Sequence, residues 1–209
     1  MTEIESAFES RADEYDSWFD ANQALYQVEL GAVRELFPPV EKSLEVGVGS
    51  GRFAAALGIR TGVEPAESMA AIARSRDVEV ISGKAENLPF AAGAFQAVLM
   101  VTAICFMDDV DCAFSEAFRV LESHGALVVA FIDRASSLGR KYAENKDKDP
   151  FYREARFYSV GEVEAALRKA GFRLEGARQT LVSDERVPES AVLPGHGLGA
   201  FVVLKAVKP

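Results

Sequence analysis

The apolar positions of this chain change period several times, and each change predicts an element. Over 3–20, Ile4 and Phe8, then Tyr15, Trp18 and Phe19, fall at helical spacing and give a partly aromatic face. Leu25, Val28, Ala32, Val33 and Leu36 continue that period over 22–36, where Asn22 is placed to cap the start and Pro38-Pro39 ends the run. The pattern then contracts to short apolar runs between polar turns. Strands are predicted at 42–46, 61–64, 78–81 and 94–101. The last is almost continuously apolar, as expected of a strand covered on both faces. Helices are predicted between them at 51–58 and from Pro65 onward, through Met69, Ile72 and Ala73, since proline is tolerated in a first helical turn.

A loop at 83–94 leads into the fourth strand. Val110, Ala113, Phe114, Ala117, Phe118 and Leu121 then predict a helix over 109–121, and His124-Gly125 turns into a fifth strand at 126–132. The segment 133–158 breaks the rhythm. It is charged at Arg140-Lys141 and 146–149, yet it holds Tyr142, Phe151, Tyr152, Phe157 and Tyr158. Ser159 caps an amphipathic helix through Val160, Val163, Ala166, Leu167 and Ala170, which Gly171 stops. Strands at 172–182 and 200–206, joined by a loop at 183–199, close the chain. The order αα-βα-βα-β-βα-β, then a helix and two strands, predicts an α/β fold: a doubly wound, Rossmann-like sheet of seven strands with helices on both faces. No crossover helix separates the final two strands, so the last one is expected to run antiparallel. No repeat or linker divides the chain, and 1–209 reads as one domain.

Composition narrows the function. A net charge of −9, from 23 basic and 32 acidic residues, argues against a nucleic-acid backbone or an anionic membrane as partner. The N-terminus lacks an apolar signal core, and no apolar run is long enough to span a bilayer. Two cysteines, Cys105 and Cys112, and two histidines, at spacings that make no zinc site, are most simply read as belonging to a reduced, cytoplasmic protein without a metal.

The candidate chemistry centres on Glu45-Val46-Gly47-Val48-Gly49-Ser50-Gly51-Arg52-Phe53. Here a strand ends in an acid, three alternate glycines make a sharp turn, and an apolar helix begins. Glycines let a ligand approach the backbone closely, and a helix start offers unpaired N–H groups. With a carboxylate alongside, the loop suits a ligand with both an anionic and a cationic end. The run Gly49-Ser50-Gly51-Arg52-Phe53-Ala54 also fits the dinucleotide pattern G-x-G-x-x-G/A, and Glu64 at the next strand end suits ribose hydroxyls in either case.

The glycine stretch resembles the E/D-x-G-x-G-x-G motif of the class I S-adenosylmethionine-dependent methyltransferases. Ala85-Glu86-Asn87-Leu88-Pro89-Phe90 resembles the A-E/D-x-L-P-F stretch of the small-molecule members, including the quinone-biosynthesis group. Glu116 to Val129 is similar to that family's E-x-x-R-V-L-K-P-G-G-x-L-V, departing at 122–125. The resemblance implies that Glu45, Gly47, Gly49 and Gly51 wrap the amino-acid end of S-adenosyl-L-methionine. It further implies that Glu64 with Pro65 meets the ribose, Ala85 and Glu86 read the adenine edge, and Met69 packs on the adenine face. Thr102 after the fourth strand, and Tyr15 in a Tyr-Asp-x-Trp-like stretch, complete the implied cofactor set. A reversed last strand belongs to this family's sheet and not to the dinucleotide sheet.

Ligands of open α/β sheets sit beyond the carboxyl ends of the parallel strands. The segments 102–107, 133–158 and 183–199 reach that edge, with the 1–40 helices expected over the cofactor. Residues 133–158 are a candidate lid. Ile104, Cys105, Tyr142, Tyr152 and His196 are the candidate wall of the acceptor pocket. No catalytic base is evident. The expected activity is in-line methyl transfer to a small-molecule acceptor. A dinucleotide-dependent oxidoreductase and a non-catalytic S-adenosylmethionine-binding module are the alternatives.

Overall fold

A computed structural model describes residues 3–182, 188 and 191–209, with side chains from residue 6. The Ile4 side chain and the 183–187 and 189–190 stretches of the last loop, named above, fall outside the described residues. Strands β1 (Ser43–Val46), β2 (Thr61–Val63), β3 (Glu79–Ile81), β4 (Phe95–Val101), β5 (Leu121–Ile132), β6 (Arg173–Val182), β7 (Leu193–Pro194) and β8 (Gly199–Val207) form a single sheet. Its order is β3-β2-β1-β4-β5-β8-β6-β7. The first five are parallel, whereas β8 runs antiparallel to both β5 and β6. Among the described residues the sheet therefore has eight strands rather than seven. The extra one, β7, is a two-residue edge pairing inside the last loop, with Pro194 opposite Arg178, and two residues are too few to leave a periodic signal.

Strand alternation sorts side chains to the two faces. Leu44, Val46, Val98, Met100, Leu127 and Val129 pack with α6 (Val110–Val120) and α8 (Val160–Lys169). Leu99, Val101, Val128, Ala130, Phe201 and Val203 pack on the other face, beneath α3 (Gln23–Leu36), α4 (Arg52–Leu57) and α5 (Glu67–Arg74). The Asp109 side chain accepts from the Asp111 and Cys112 N–H groups to start α6, and Ser159 with Glu162 forms a capping box on α8. No helix among the described residues is long and apolar enough to cross a membrane.

The N-terminal segment is two helices, α1 (Glu3–Ser10) and α2 (Ala12–Ala21), broken at Arg11. Asn22 does not cap α3. Its amide donates to Trp18 O at 2.9 Å and closes α2 instead. The buried face of α3 carries Tyr26, Leu30, Val33 and Leu36, so Leu25 and Val28 sit at its margin. Helix α5 starts at Glu67, not Pro65, and the Glu9 carboxylate of α1 accepts from Ser68 N–H and Oγ–H at 3.0 and 2.9 Å. Helix α2 is held to the glycine turn by Arg52, which donates to Asp16 and Asp20, while Arg76 also donates to Asp16, at 2.7 Å. The segment after β5 folds as α7 (Ser137–Asn145) and a short turn of 3₁₀ helix.

Candidate active site

The chain leaves β1 through Gly47 and Gly49, both left-handed at φ +68° and +53°. A β-carbon on Gly47 would come within 2.7 Å of Ala103 Cβ, so only glycine fits there. The Gly47 and Val48 N–H groups donate to Val63 O at 2.8 and 3.0 Å, locking the turn to the end of β2. The next residue, Glu64, is buried and accepts from Gly49 N–H and Ala66 N–H, both at 3.0 Å. Its two oxygens are thereby fixed by the backbone at the strand ends.

A cavity of about 120 Å³ opens over this turn. Gly47, Gly49, Glu64 and Pro65 form its floor, and Met69, Ala85 and Glu86 one side. Thr102, Phe106 and Met107 line the other side, and Phe8 and Tyr15 come down from α1 and α2. Glu86 Oε1 accepts from the Asp108 and Asp109 N–H groups at 2.9 and 3.3 Å, which ties the loop after β3 to the one after β4. A β-carbon on Gly49 would press 3.4 Å from Met69 Cε, across ground a ligand would need. A cradle free of β-carbons, a fixed acid at the end of β2 and a second acid beside Ala85 are what an adenosyl amino acid requires. The residues present fit that cofactor.

A second cavity, of about 310 Å³, adjoins the first, and Tyr15 and Thr102 line both. Thr102 is itself left-handed at φ +48°, an unfavourable conformation for a β-branched residue, held by its N–H donating to Ala130 O at 2.7 Å. Aromatic side chains dominate the wall: Trp18 and Phe19 from α2, Tyr142 from α7, and Tyr152, Phe157 and Tyr158 from the chain before α8. Tyr142, Tyr152 and Phe157 are in mutual contact, with ring centroids 5.6–6.1 Å apart. Phe151 packs on Phe8 and Tyr15, joining the segment after β5 to the N-terminal helices.

The structure places Ile104, Cys105, Tyr142 and Tyr152 in the wall of this second cavity. Burial pushes the Cys105 thiol up to about 12, and its Sγ–H donates to Thr102 O at 3.2 Å, so it is an unactivated lining group. His196 is a correction. It lines neither cavity and lies 3.6 Å from Glu164 on α8. Glu45 is another. Strand alternation with Leu44 and Val46 sends it to the opposite face, under α4, where it is 2% exposed and lines neither cavity. Gly51 is a packing glycine, since a β-carbon there would sit 2.9 Å from Ala73 Cβ on α5. The sequence reading missed Phe8 and Glu29. Glu29 stands on the buried face of α3 between Tyr26 and Val33 and lines the second cavity. A lone carboxylate at i+3 from one buried residue and i−4 from the next was the available signal.

Comparison with known proteins gives concordant findings. Residues 44–129 match the family model described as a methyltransferase domain. A solved structure from Thermotoga maritima, described as a SAM-dependent methyltransferase, possible histamine N-methyltransferase, is 46% identical. It superposes with a TM-score of 0.92 over 98% of this chain and 99% of its own. An uncharacterized protein of Methanocaldococcus jannaschii is 39% identical over 97% of this chain and 99% of its own length. The malonyl-[acyl-carrier protein] O-methyltransferase of Geobacter sulfurreducens is 30% identical over 81% of this chain and 70% of its own length.

Proposed function

The chain belongs to the class I S-adenosylmethionine-dependent methyltransferases, and from that premise we propose that it methylates a small organic molecule held in the second cavity. Its cofactor is S-adenosyl-L-methionine, which supplies a sulfonium methyl group and leaves as a neutral thioether, so no acid is needed to expel it. In this reading Gly47 and Gly49 receive the amino-acid end and Glu64 accepts from the ribose hydroxyls. Pro65 and Met69 flank the base, and Ala85 and Glu86 read its edge. Thr102 and Tyr15 hold the passage between the two chambers, where donor and acceptor must be brought into line. Positioning of that kind supplies several kcal/mol of a barrier. The N-terminal helices and residues 133–158 close over the passage and exclude water.

The observation that carries this reading is the junction at Tyr15 and Thr102, which line a glycine-floored chamber on one side and an aromatic one on the other. The description of the Thermotoga relative as a possible histamine N-methyltransferase supports a free small molecule as acceptor. The Geobacter relative's name points instead to a substrate carried on a protein. The test is methyl transfer from labelled S-adenosyl-L-methionine to a panel of aryl amines, quinone-type phenols and a malonyl carrier-protein thioester. Turnover on at least one free small molecule is expected. Turnover confined to the carrier-protein thioester would overturn the proposal.

A further inference from the structure

Glu29 is 8% exposed and its carboxyl lines the aromatic cavity, yet it makes no hydrogen bond or ion pair with any described residue. A buried carboxyl without a partner is costly, and Glu29, unlike the buried Glu45 that lines neither cavity, faces open space that a ligand could fill. Its neighbours on the buried face of α3 are Tyr26, Leu30 and Val33, where a leucine would pack without that cost. The charge around it is one-sided. Glu14 and Asp149 also line the cavity, and no lysine, arginine or histidine does so among the described residues. Two arginines stack on rings that line the cavity without lining it themselves: Arg52 lies over Phe19 while bound to Asp16 and Asp20, and Arg156 lies over Tyr158. An anionic group entering here would meet three carboxyls and no counter-charge from the described residues. A cation would meet aromatic faces, which attract it through their quadrupoles, and one unpartnered carboxyl able to ionise against it.

We infer that the acceptor of this methyltransferase carries a cationic group, a protonated amine or quaternary ammonium on an apolar body, and that Glu29 is the counter-ion of that group within the aromatic cavity; the cationic nitrogen has no lone pair, so the methyl goes to a different, uncharged or anionic atom of the same molecule as the sulfonium S–C bond breaks. This rests on the proposal that the second cavity holds the acceptor, and it names the substrate class and the residue that selects it. A consequence in protons follows. Burial raises the Glu29 carboxyl to about 8, so in the empty cavity it keeps its proton near neutral pH. The titratable groups facing the same space are Glu14 and Tyr15 from α2, Cys105 after β4, Tyr142 from α7, then Asp149, Tyr152 and Tyr158. All are acids, and none can supply the positive charge that would draw the proton off Glu29. An arriving cation supplies it, so cation binding at pH 7 must expel a proton from the protein.

The experiment is calorimetry at pH 7 on the full chain saturated with S-adenosylhomocysteine. The probes are 2-phenylethylamine, 2-phenylethanol and phenylacetate. The amine is expected to bind at least tenfold more tightly than the alcohol, and the acid most weakly. Amine binding should release protons, read as a binding heat that changes with the buffer's ionisation enthalpy. Glu29→Gln should weaken the amine at least tenfold and abolish proton release. It should leave the alcohol and S-adenosylhomocysteine within twofold, which also shows that the fold persists. Glu29→Asp, which keeps the charge, should restore part of the preference. Three results would each overturn the inference: equal binding of amine and alcohol, an unchanged preference in Glu29→Gln, or no binding of any probe while S-adenosylhomocysteine still binds. These binding arms report on the cation site whether or not a probe is methylated, so a failure of the proposed activity is separately visible.

Discussion

The two chambers that meet at Tyr15 and Thr102 are built by opposite means. The first is made of backbone: left-handed glycines, strand ends, and two carboxylates already tied down by main-chain N–H groups, Glu64 by Gly49 and Ala66, Glu86 by Asp108 and Asp109. The second is made of side chains carried on α2, α3, α7 and the turns before α8, and its one buried carboxyl has no partner among the described residues. A chamber fixed by the main chain at the ends of β1, β2 and β4 is as invariant as the sheet itself. A chamber fixed by helix-borne aromatics can change shape and polarity without disturbing the sheet. The difference suits the proposed division, with the constant ligand in the first and the selective one in the second.

The strongest way to break that division is to damage the backbone of the first chamber alone. Gly49→Val forces a β-branched residue into a left-handed conformation and sets a side chain against Met69. Strain of about 1–3 kcal/mol predicts a loss of S-adenosylhomocysteine affinity of roughly tenfold to a hundredfold. Amine affinity in the second chamber should stay within about threefold, read by the same calorimetry. Equal losses in both chambers would show that they are not separable.

A weaker blow falls on the wall they share. Asp16 anchors α2, and so Tyr15, to the glycine turn through Arg52 and Arg76. Burial alone would raise the Asp16 carboxyl. The hydrogen bonds from the two guanidinium groups outweigh that effect and hold it well below the usual carboxylate range. Asp16→Asn should cost about 1–2 kcal/mol of stability and weaken both ligands together by a few-fold. Because the folded carboxyl titrates below the unfolded one, its contribution is fully present above the ordinary aspartate value near 3.9 and is lost as the pH falls further. The melting difference between the two proteins should therefore shrink below about pH 4. A gap that persists there would remove the carboxylate from the explanation.

What the sequence made legible follows the same division. That Gly47, Gly49 and Glu64 gather at one turn could be read because strand ends and glycine turns leave a mark at short range, and so could an antiparallel final strand without a crossover helix. The expectation that Glu45 faces the ligand went astray because the motif gives its position but not its face, which alternation with Leu44 and Val46 turns away from both cavities. The second chamber was only half legible. The aromatics of 133–158 announced an apolar site. Nothing local says that α1 brings Phe8 over the turn, or that the face of α3 runs through Glu29 rather than Leu25. Those facts depend on where a helix lands, and landing is a tertiary event.

The smallest expected effect concerns the acid that belongs to neither chamber. Glu45 lies under α4, beside the Ala54 backbone, with Oε2 lacking any hydrogen-bond partner among the described residues. Burial drives its carboxyl well above the usual range, the Ala54 N–H opposes this, and the Glu64 charge adds to it. A carboxyl raised in this way keeps its proton in the folded protein while the unfolded chain ionises. The native state then binds more protons, so stability is greatest below the unfolded value near 4.3 and declines as the pH climbs. Glu45→Gln removes that decline at the cost of one amide group in the same space. The variant should match the natural protein within about 1 kcal/mol near pH 5 and become the more stable of the two by pH 8, in paired denaturant titrations. Its affinity for S-adenosylhomocysteine should change less than about threefold. A tenfold loss of that affinity would return Glu45 to the cofactor chamber and erase the distinction between a wall made of backbone and an acid buried behind it.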